Sequence, residues 1–211
     1  MGELLEVTLR SLYISLSATL LAASWSLPLA YLAARRPGFS LVARAAEALV
    51  GVPTVLVGLL LYMLLSRRGP LGFLELLYTP AAIALGEAVL VTPLLVAVGY
   101  RVLSTAVAEY GELALSLGAS EGQALRLALR EALPGLVAAM VMAFSRAVGE
   151  LGVALMVGGN IRGYTRTLTT AIALEVSKGE FEAAVSLGAV LVGLMLASAA
   201  AVYAARRLWE P

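Results

Sequence analysis

Five apolar stretches of about twenty residues run through this 211-residue chain, at 12–34, 48–66, 80–100, 135–157 and 181–205. At about 1.5 Å per residue, a helix of that length covers the roughly 30 Å of hydrocarbon in a bilayer. No water reaches that layer, so each segment must satisfy its own backbone N–H and C=O groups, and it does so as a helix. The sequence therefore predicts an all-α integral membrane protein, a single domain with about five transmembrane helices surrounded by membrane lipid. The composition agrees: 61 % of residues are hydrophobic and 14 % charged, which excludes a lone water-soluble core and a disordered chain.

Arginine pairs close several of these stretches: Arg35-Arg36, Arg67-Arg68 and Arg206-Arg207. Pro28, Pro53 and Pro93 fall inside them and are expected as kinks, which membrane bundles tolerate. Glu3 and Glu6 stand where a leader would carry basic residues, so the first stretch is expected to be a retained membrane helix.

A net charge of +1 gives no basic surface for nucleic acid. The chain has no Cys and no His, so disulfides, thiol catalysis, zinc sites and the commonest general base are all excluded. Its one lysine, Lys178, lies in no phosphate-binding loop. No catalytic residue, metal site or bound cofactor is expected in this chain.

Two polar segments interrupt the apolar pattern. In the first, 101–134, Leu125, Leu129 and Leu133 recur on one helical face, with Arg126 and Arg130 on another. Gly118 lies between two helical patterns, where a turn needs backbone freedom. The segment reads as a short helix, a bend and an amphipathic helix, and by pattern alone it could equally lie on the lipid surface. Glu112, Ala114 and Gly118 match a motif of Glu-Ala-Ala, three residues, then Gly, with Leu113 replacing the first Ala. The segment thus resembles the coupling loop by which permease subunits of binding-protein-dependent ABC importers contact their ATPase subunit. In that family a Leu-Pro usually ends the loop nearer the Gly, whereas Leu133-Pro134 comes about one helical turn later. The resemblance places an amphipathic cytoplasmic coupling helix between spans three and four. It assigns the ATPase contact to Glu112, Ala114, Leu117, Gly118, Ala119 and Ser120.

The second segment, 158–180, is rich in Gly, Thr and Arg. Arg146-Ala147-Val148-Gly149-Glu150 precedes it, and Gly159-Asn160-Ile161, Thr165-Arg166-Thr167 and Thr169-Thr170-Ala171-Ile172 lie within it. These motifs resemble those of the molybdate and tungstate permeases, the tungstate branch most closely. Gly51-Val52-Pro53-Thr54, Ser66-Arg67-Arg68-Gly69-Pro70 and Tyr78-Thr79-Pro80 are similar too. The resemblance spans residues 50–181 and implies the type I ABC importer permease fold. It also implies a homodimer, two ABC ATPase subunits that hold ATP and Mg, and an extracytoplasmic oxyanion-binding protein. The implied activity is ATP-driven import of tungstate, with molybdate or sulfate as the alternative oxyanions.

Tungstate is a tetrahedral dianion that needs hydrogen-bond donors. Arg162 and Arg166 can concentrate anions locally. The hydroxyls of Thr165, Thr167, Thr169 and Thr170 and the Asn160 amide can donate without trapping the ion. The same residues serve equally well as helix caps and turn partners. Arg146 and Glu150 are four apart, which predicts an ion pair on one helix face near mid-membrane, placed either in the path or as a lock between helices. Glu87 has no local partner and is expected either to stay protonated or to pair with an arginine on another helix.

With the 101–134 segment inside, eight arginines face the cytoplasm and six cationic residues face out. That balance predicts a multi-pass plasma-membrane protein with its N-terminus outside and its C-terminus cytoplasmic. A rival of a different class is a stand-alone ion-coupled anion carrier or channel. Arg146, Glu150 and Glu87 would suit it, but it leaves the Glu112–Gly118 loop unexplained.

Overall fold

In the computed structural model the described residues are 2–207, with the backbone alone at 37 and 202–207. The C-terminus expected on the cytoplasmic side lies at residues 208–211, outside that range. Among the described residues the structure is helical, without strands. The helices are α1 (Gly2–Arg35), α2 (Ser40–Leu49), α3 (Thr54–Leu65), α4 (Pro80–Ala106), α5 (Glu112–Ser116), α6 (Glu121–Val148), α7 (Gly152–Gly158), α8 (Leu168–Lys178) and α9 (Phe181–Arg207). Four of them are long and apolar enough to cross a membrane, and α2 with α3 makes a fifth if that bent pair counts as one span.

The centre is a packing of α1, α4 and α6. The buried face of α1 is small: Ser11, Ser15, Ala18, Thr19, Ala22, Ser26 and Ala30. Small residues let membrane helices approach closely, and close contact replaces the hydrophobic drive that lipid does not supply. A Cβ on Gly99 of α4 would stand only 3.2 Å from Ala30 Cβ. Two hydroxyls in this seam bond to their own helix, Ser11 donating to Val7 O at 2.9 Å and Thr19 to Ser15 O at 2.7 Å, while the buried Ser26 hydroxyl has no partner among the described residues. Helix α4 starts at Thr79, whose hydroxyl accepts the Ala82 N–H at 3.2 Å, with Pro80 in the first turn where its missing N–H costs nothing.

Helix α6 turns a row of alanines inward: Ala124, Ala128, Ala132, Ala139, Ala143 and Ala147. The leucine row at 125, 129 and 133 is not the buried one; Leu129 and Leu133 are exposed. Helix α9 packs against α8 and α6, and Val185, Val192 and Leu196 point outward.

Three boundaries differ from the sequence expectation. The 48–66 stretch is not one helix. It breaks after Leu49, and α2 and α3 meet at 105°. Pro53 caps α3 in an extended conformation instead of kinking a continuous helix, and the residue before a proline is biased away from helix. The 135–157 stretch is also broken, since α6 ends at Val148 and α7 begins at Gly152. Finally, the helices expected in 101–134 run on from the flanking spans without a separate loop. Helix α4 continues through a π-helical turn at Val107–Gly111, and α6 runs unbroken through Pro134.

Candidate functional site

The bend at Gly118 is a complete Schellman turn. Gly118 has φ of 86°, its N–H donates to Leu115 O at 3.0 Å, and the Ala119 N–H donates to Ala114 O at 3.0 Å. Ser120 then caps α6 in a capping box, with the Ser120 N–H on Gln123 Oε1 at 2.9 Å and the Gln123 N–H on Ser120 Oγ at 3.4 Å. Helices on both sides therefore fix a turn of four residues, 117–120. Ala114 is buried behind it, while Leu113, Leu115 and Leu117 are exposed, Leu117 at 79 %. The result is a rigid elbow with an apolar tip and Glu112 in its first helical turn. At its base, Ala30 of α1, Leu103 and Ala106 of α4 and Ala128 and Ala132 of α6 form one cluster.

At the other end of the bundle, the loop 159–167 joins α7 to α8. Its shape is held from inside. The Thr165 hydroxyl donates to Gly158 O at 2.6 Å and accepts the Ile161 N–H at 2.9 Å. Thr167 and Thr170 form the capping box of α8, with the Thr167 N–H on Thr170 Oγ1 at 2.9 Å. The Thr169 hydroxyl donates to the backbone carbonyl of Glu150 at 2.7 Å. All four threonines are buried, with their hydroxyls engaged within the fold. Asn160 takes a left-handed φ of 51° and accepts from Arg166 Nε at 3.2 Å.

Arg162 reaches α1, where Glu3 receives its Nε and Nη2 at 2.9 and 2.6 Å. That hydrogen-bonded carboxylate raises the pKa of Arg162 above the ordinary arginine value. Arg166 approaches the same carboxylate at 3.4 Å, and its backbone carbonyl accepts from Arg10 at 3.2 Å. Glu3 and Arg10 are members of this cluster that local sequence pattern did not single out.

Between the two ends lies the pair Arg146–Glu150, closed at 2.7 Å. The two residues do not share a helix. Gly149 caps α6, so Glu150 sits in the break, where its other oxygen accepts the Val153 N–H of α7 at 3.1 Å. Helix geometry alone thus does not make this pair; the turn does. Glu87 is buried on α4, with the Ser15 hydroxyl as its hydrogen-bonding neighbour. It makes no ion pair among the described residues, and its Oε2 has no hydrogen-bond partner there.

The two breaks adjoin. A Cβ on Gly152 would lie 2.7 Å from Thr54 Oγ1 and 3.1 Å from the Val55 nitrogen, and one on Gly58 would lie 3.0 Å from Met156 Cβ. Helices α3 and α7 therefore run side by side on glycine contacts.

A family model described as the inner membrane component of binding-protein-dependent transport systems matches residues 26–210. The "Tungstate uptake system permease protein TupB" of Peptoclostridium acidaminophilum is 40 % identical over 199 residues, covering 92 % of this chain and 86 % of the relative. A "Probable anion ABC transporter permease protein" of Haloferax volcanii is 39 % identical over 200 residues, with 92 % and 86 % covered. The tungstate uptake permease of Campylobacter jejuni is 41 % identical over 140 residues, covering 66 % of this chain and 59 % of the relative. The elbow, the helical bundle and these matches agree, and the chain belongs to the family of multi-pass inner-membrane permease components of binding-protein-dependent ABC transport systems.

Proposed function

We propose that this chain is the membrane-spanning subunit of an ATP-driven importer that brings tungstate into the cell. The observation that carries the reading is the 40 % identity to a tungstate uptake permease across 92 % of the chain. The chemistry supports it. Against an inside-negative potential of 100 mV a dianion faces about 4.6 kcal/mol, so uptake needs an external energy source. This chain has no phosphate-binding loop, so ATP and Mg belong to a partner ATPase subunit, two copies of which serve a homodimer of this subunit.

The elbow at Glu112, Ala114, Leu117, Gly118, Ala119 and Ser120 is the ATPase contact in this reading. Its turn is short and braced on both sides, so displacement of its tip is passed into α4 and α6. The C-terminal end of α1 clusters with the base of this elbow, while Glu3 lies at the opposite end beside Arg162. A cytoplasmic elbow therefore puts the N-terminus outside and the 159–167 loop at the extracytoplasmic mouth, where an oxyanion-binding protein delivers its cargo. There Asn160, Arg162 and Arg166 supply positive potential and donors. Thr165, Thr167, Thr169 and Thr170 hold the frame that presents them.

The test is reconstitution of this chain with its ATPase subunit and binding protein in proteoliposomes. The expected result is tungstate uptake that requires both ATP and the binding protein. Uptake by this chain alone would overturn the mechanism in favour of a carrier or channel. ATP-dependent uptake of another oxyanion with none of tungstate would overturn the substrate.

A further inference from the structure

Arg146 is anchored on one side only. Both oxygens of the Glu150 carboxylate are satisfied, by Arg146 Nη1 and by the Val153 N–H, and that side chain is 2 % exposed. Arg146 uses one of its five N–H donors in this pair, and its side chain is 40 % exposed. Its other donors have no protein partner among the described residues. A lock between helices predicts the reverse, a guanidinium enclosed and fully used.

The depth of Arg146 sharpens the point. Ala147 packs in one cluster with Ala88 and Val91 of α4. Ala88 lies eight residues into α4, about 12 Å along its axis, so this level is inside the hydrocarbon layer. A guanidinium with free donors at that depth faces a bundle interior or a water-filled cavity, not lipid. The backbone argues the same way. Helices α3 and α7 are about 18 and 10 Å long, too short to cross alone, so the breaks at 50–53 and 149–151 fall at membrane depth. Non-helical backbone is tolerated there only against protein or a water-lined path. Val50, Gly51 and Pro53 are nevertheless exposed in the single chain, and so is Leu151. The two breaks meet through Gly152 and Thr54.

We infer that Arg146 is the residue that meets the oxyanion inside the membrane, at a constriction built from these two adjoining helix breaks, with Glu150 as its resting counter-ion. The inference rests on the oxyanion-import reading above. An arriving dianion takes the free donors of Arg146 and draws it from Glu150, whose carboxylate keeps the Val153 N–H. The neighbouring negative charge of Glu150 then drives the ion onward, which gives the weak binding that a conducting site requires. The break that holds Glu150 and the loop that carries Arg162 and Arg166 lie at opposite ends of α7, a helix about 10 Å long, so the ion passes from the mouth to a deeper cation.

The opposite signs expected of two substitutions test this, with the whole complex used throughout. Arg146→Gln is expected to lower tungstate uptake into proteoliposomes at least about tenfold while assembly and binding-protein-stimulated ATP hydrolysis persist, and Arg146→Lys is expected to restore much of the rate. Glu150→Gln keeps an acceptor for Val153 and frees Arg146. It is expected to tighten binding of labelled tungstate to the detergent-solubilised complex by about threefold or more, where Arg146→Gln weakens it. Equal losses in both variants, with loss of the complex on size exclusion, would identify a structural lock and overturn the inference; so would unchanged uptake in Arg146→Gln. If the wild-type complex moves a different oxyanion, the substrate reading fails instead, and the same comparison of variants is read with that ion.

Discussion

Glu3 and Arg162 meet by two hydrogen bonds, 2.9 and 2.6 Å, across 159 residues of chain. The contact ties the start of α1 to the loop between α7 and α8, and it sets a carboxylate beside the two cations of the mouth. Both side chains are exposed, so the pair is screened by salt and adds little to stability. Its larger effect is on the field that an approaching anion meets. Glu3→Gln is expected to leave the melting temperature nearly unchanged, to raise the initial rate of tungstate uptake at low ionic strength, and to steepen its decline with salt. Rates that match wild type at every ionic strength would remove Arg162 and Arg166 from the path.

The elbow makes a sharper prediction. Gly118 holds φ of 86° and donates its N–H to Leu115 O, while a Cβ there would meet nothing within 4 Å. The demand is for backbone conformation, not space. Gly118→Pro fixes φ near −65° and deletes the donor, so the turn cannot close. That variant is expected to insert in the membrane but to lose co-purification with the ATPase subunit. Gly118→Asn tolerates the left-handed region and is expected to keep the complex, at a penalty of about 1 kcal/mol. Normal uptake in Gly118→Pro would reject the elbow as the ATPase contact.

The elbow was legible in the sequence because its chief mark is local: a glycine between two helical patterns. The apolar stretches were legible by length. The breaks were less so. At 50–53 a signal existed in Gly51 and Pro53, but kinked membrane helices contain the same residues. At 149–151 Gly149 and Gly152 mark the break only weakly, because membrane helices are rich in glycine; the break is fixed by the Glu150 side chain accepting the Val153 N–H of α7 and by Thr169 binding the Glu150 carbonyl from α8. The buried row of α6 carries no large-residue signature: Ala124, Ala128, Ala132, Ala139, Ala143 and Ala147 turn inward because small side chains let membrane helices close up. The Glu3 contact depends on the tertiary fold and has no short-range trace.

Close approach of α4 and α7 is measurable. A Cβ on Gly86 would overlap Val153 Cγ1 and lie 3.3 Å from Leu61 Cδ1. Gly86→Ala is therefore expected to destabilise the chain by about 1–3 kcal/mol through overpacking. Val153→Ala removes the opposing methyl, so the double variant is expected to be more stable than the sum of the two single changes predicts. Thermal melting of the four proteins in detergent checks it. Additive effects would show that the two helices do not press on each other at this contact.

The threonines separate framing from passage. The Thr169 hydroxyl donates to the Glu150 carbonyl, and its removal leaves a buried acceptor unpaired at the break that positions the Arg146 pair. Thr169→Val keeps the shape, deletes the bond, and is expected to lower stability by about 1–3 kcal/mol. Thr169→Ser keeps the donor and is expected to restore most of that stability. If the hydroxyl only braces the loop, uptake follows stability across Val, Ser and wild type. If the ion itself uses the hydroxyl, Thr169→Val lowers uptake further than a stability-matched variant such as Gly86→Ala does. The buried position of Thr169 and its engaged hydroxyl favour the first outcome. The second would return the threonine to the wall of the path.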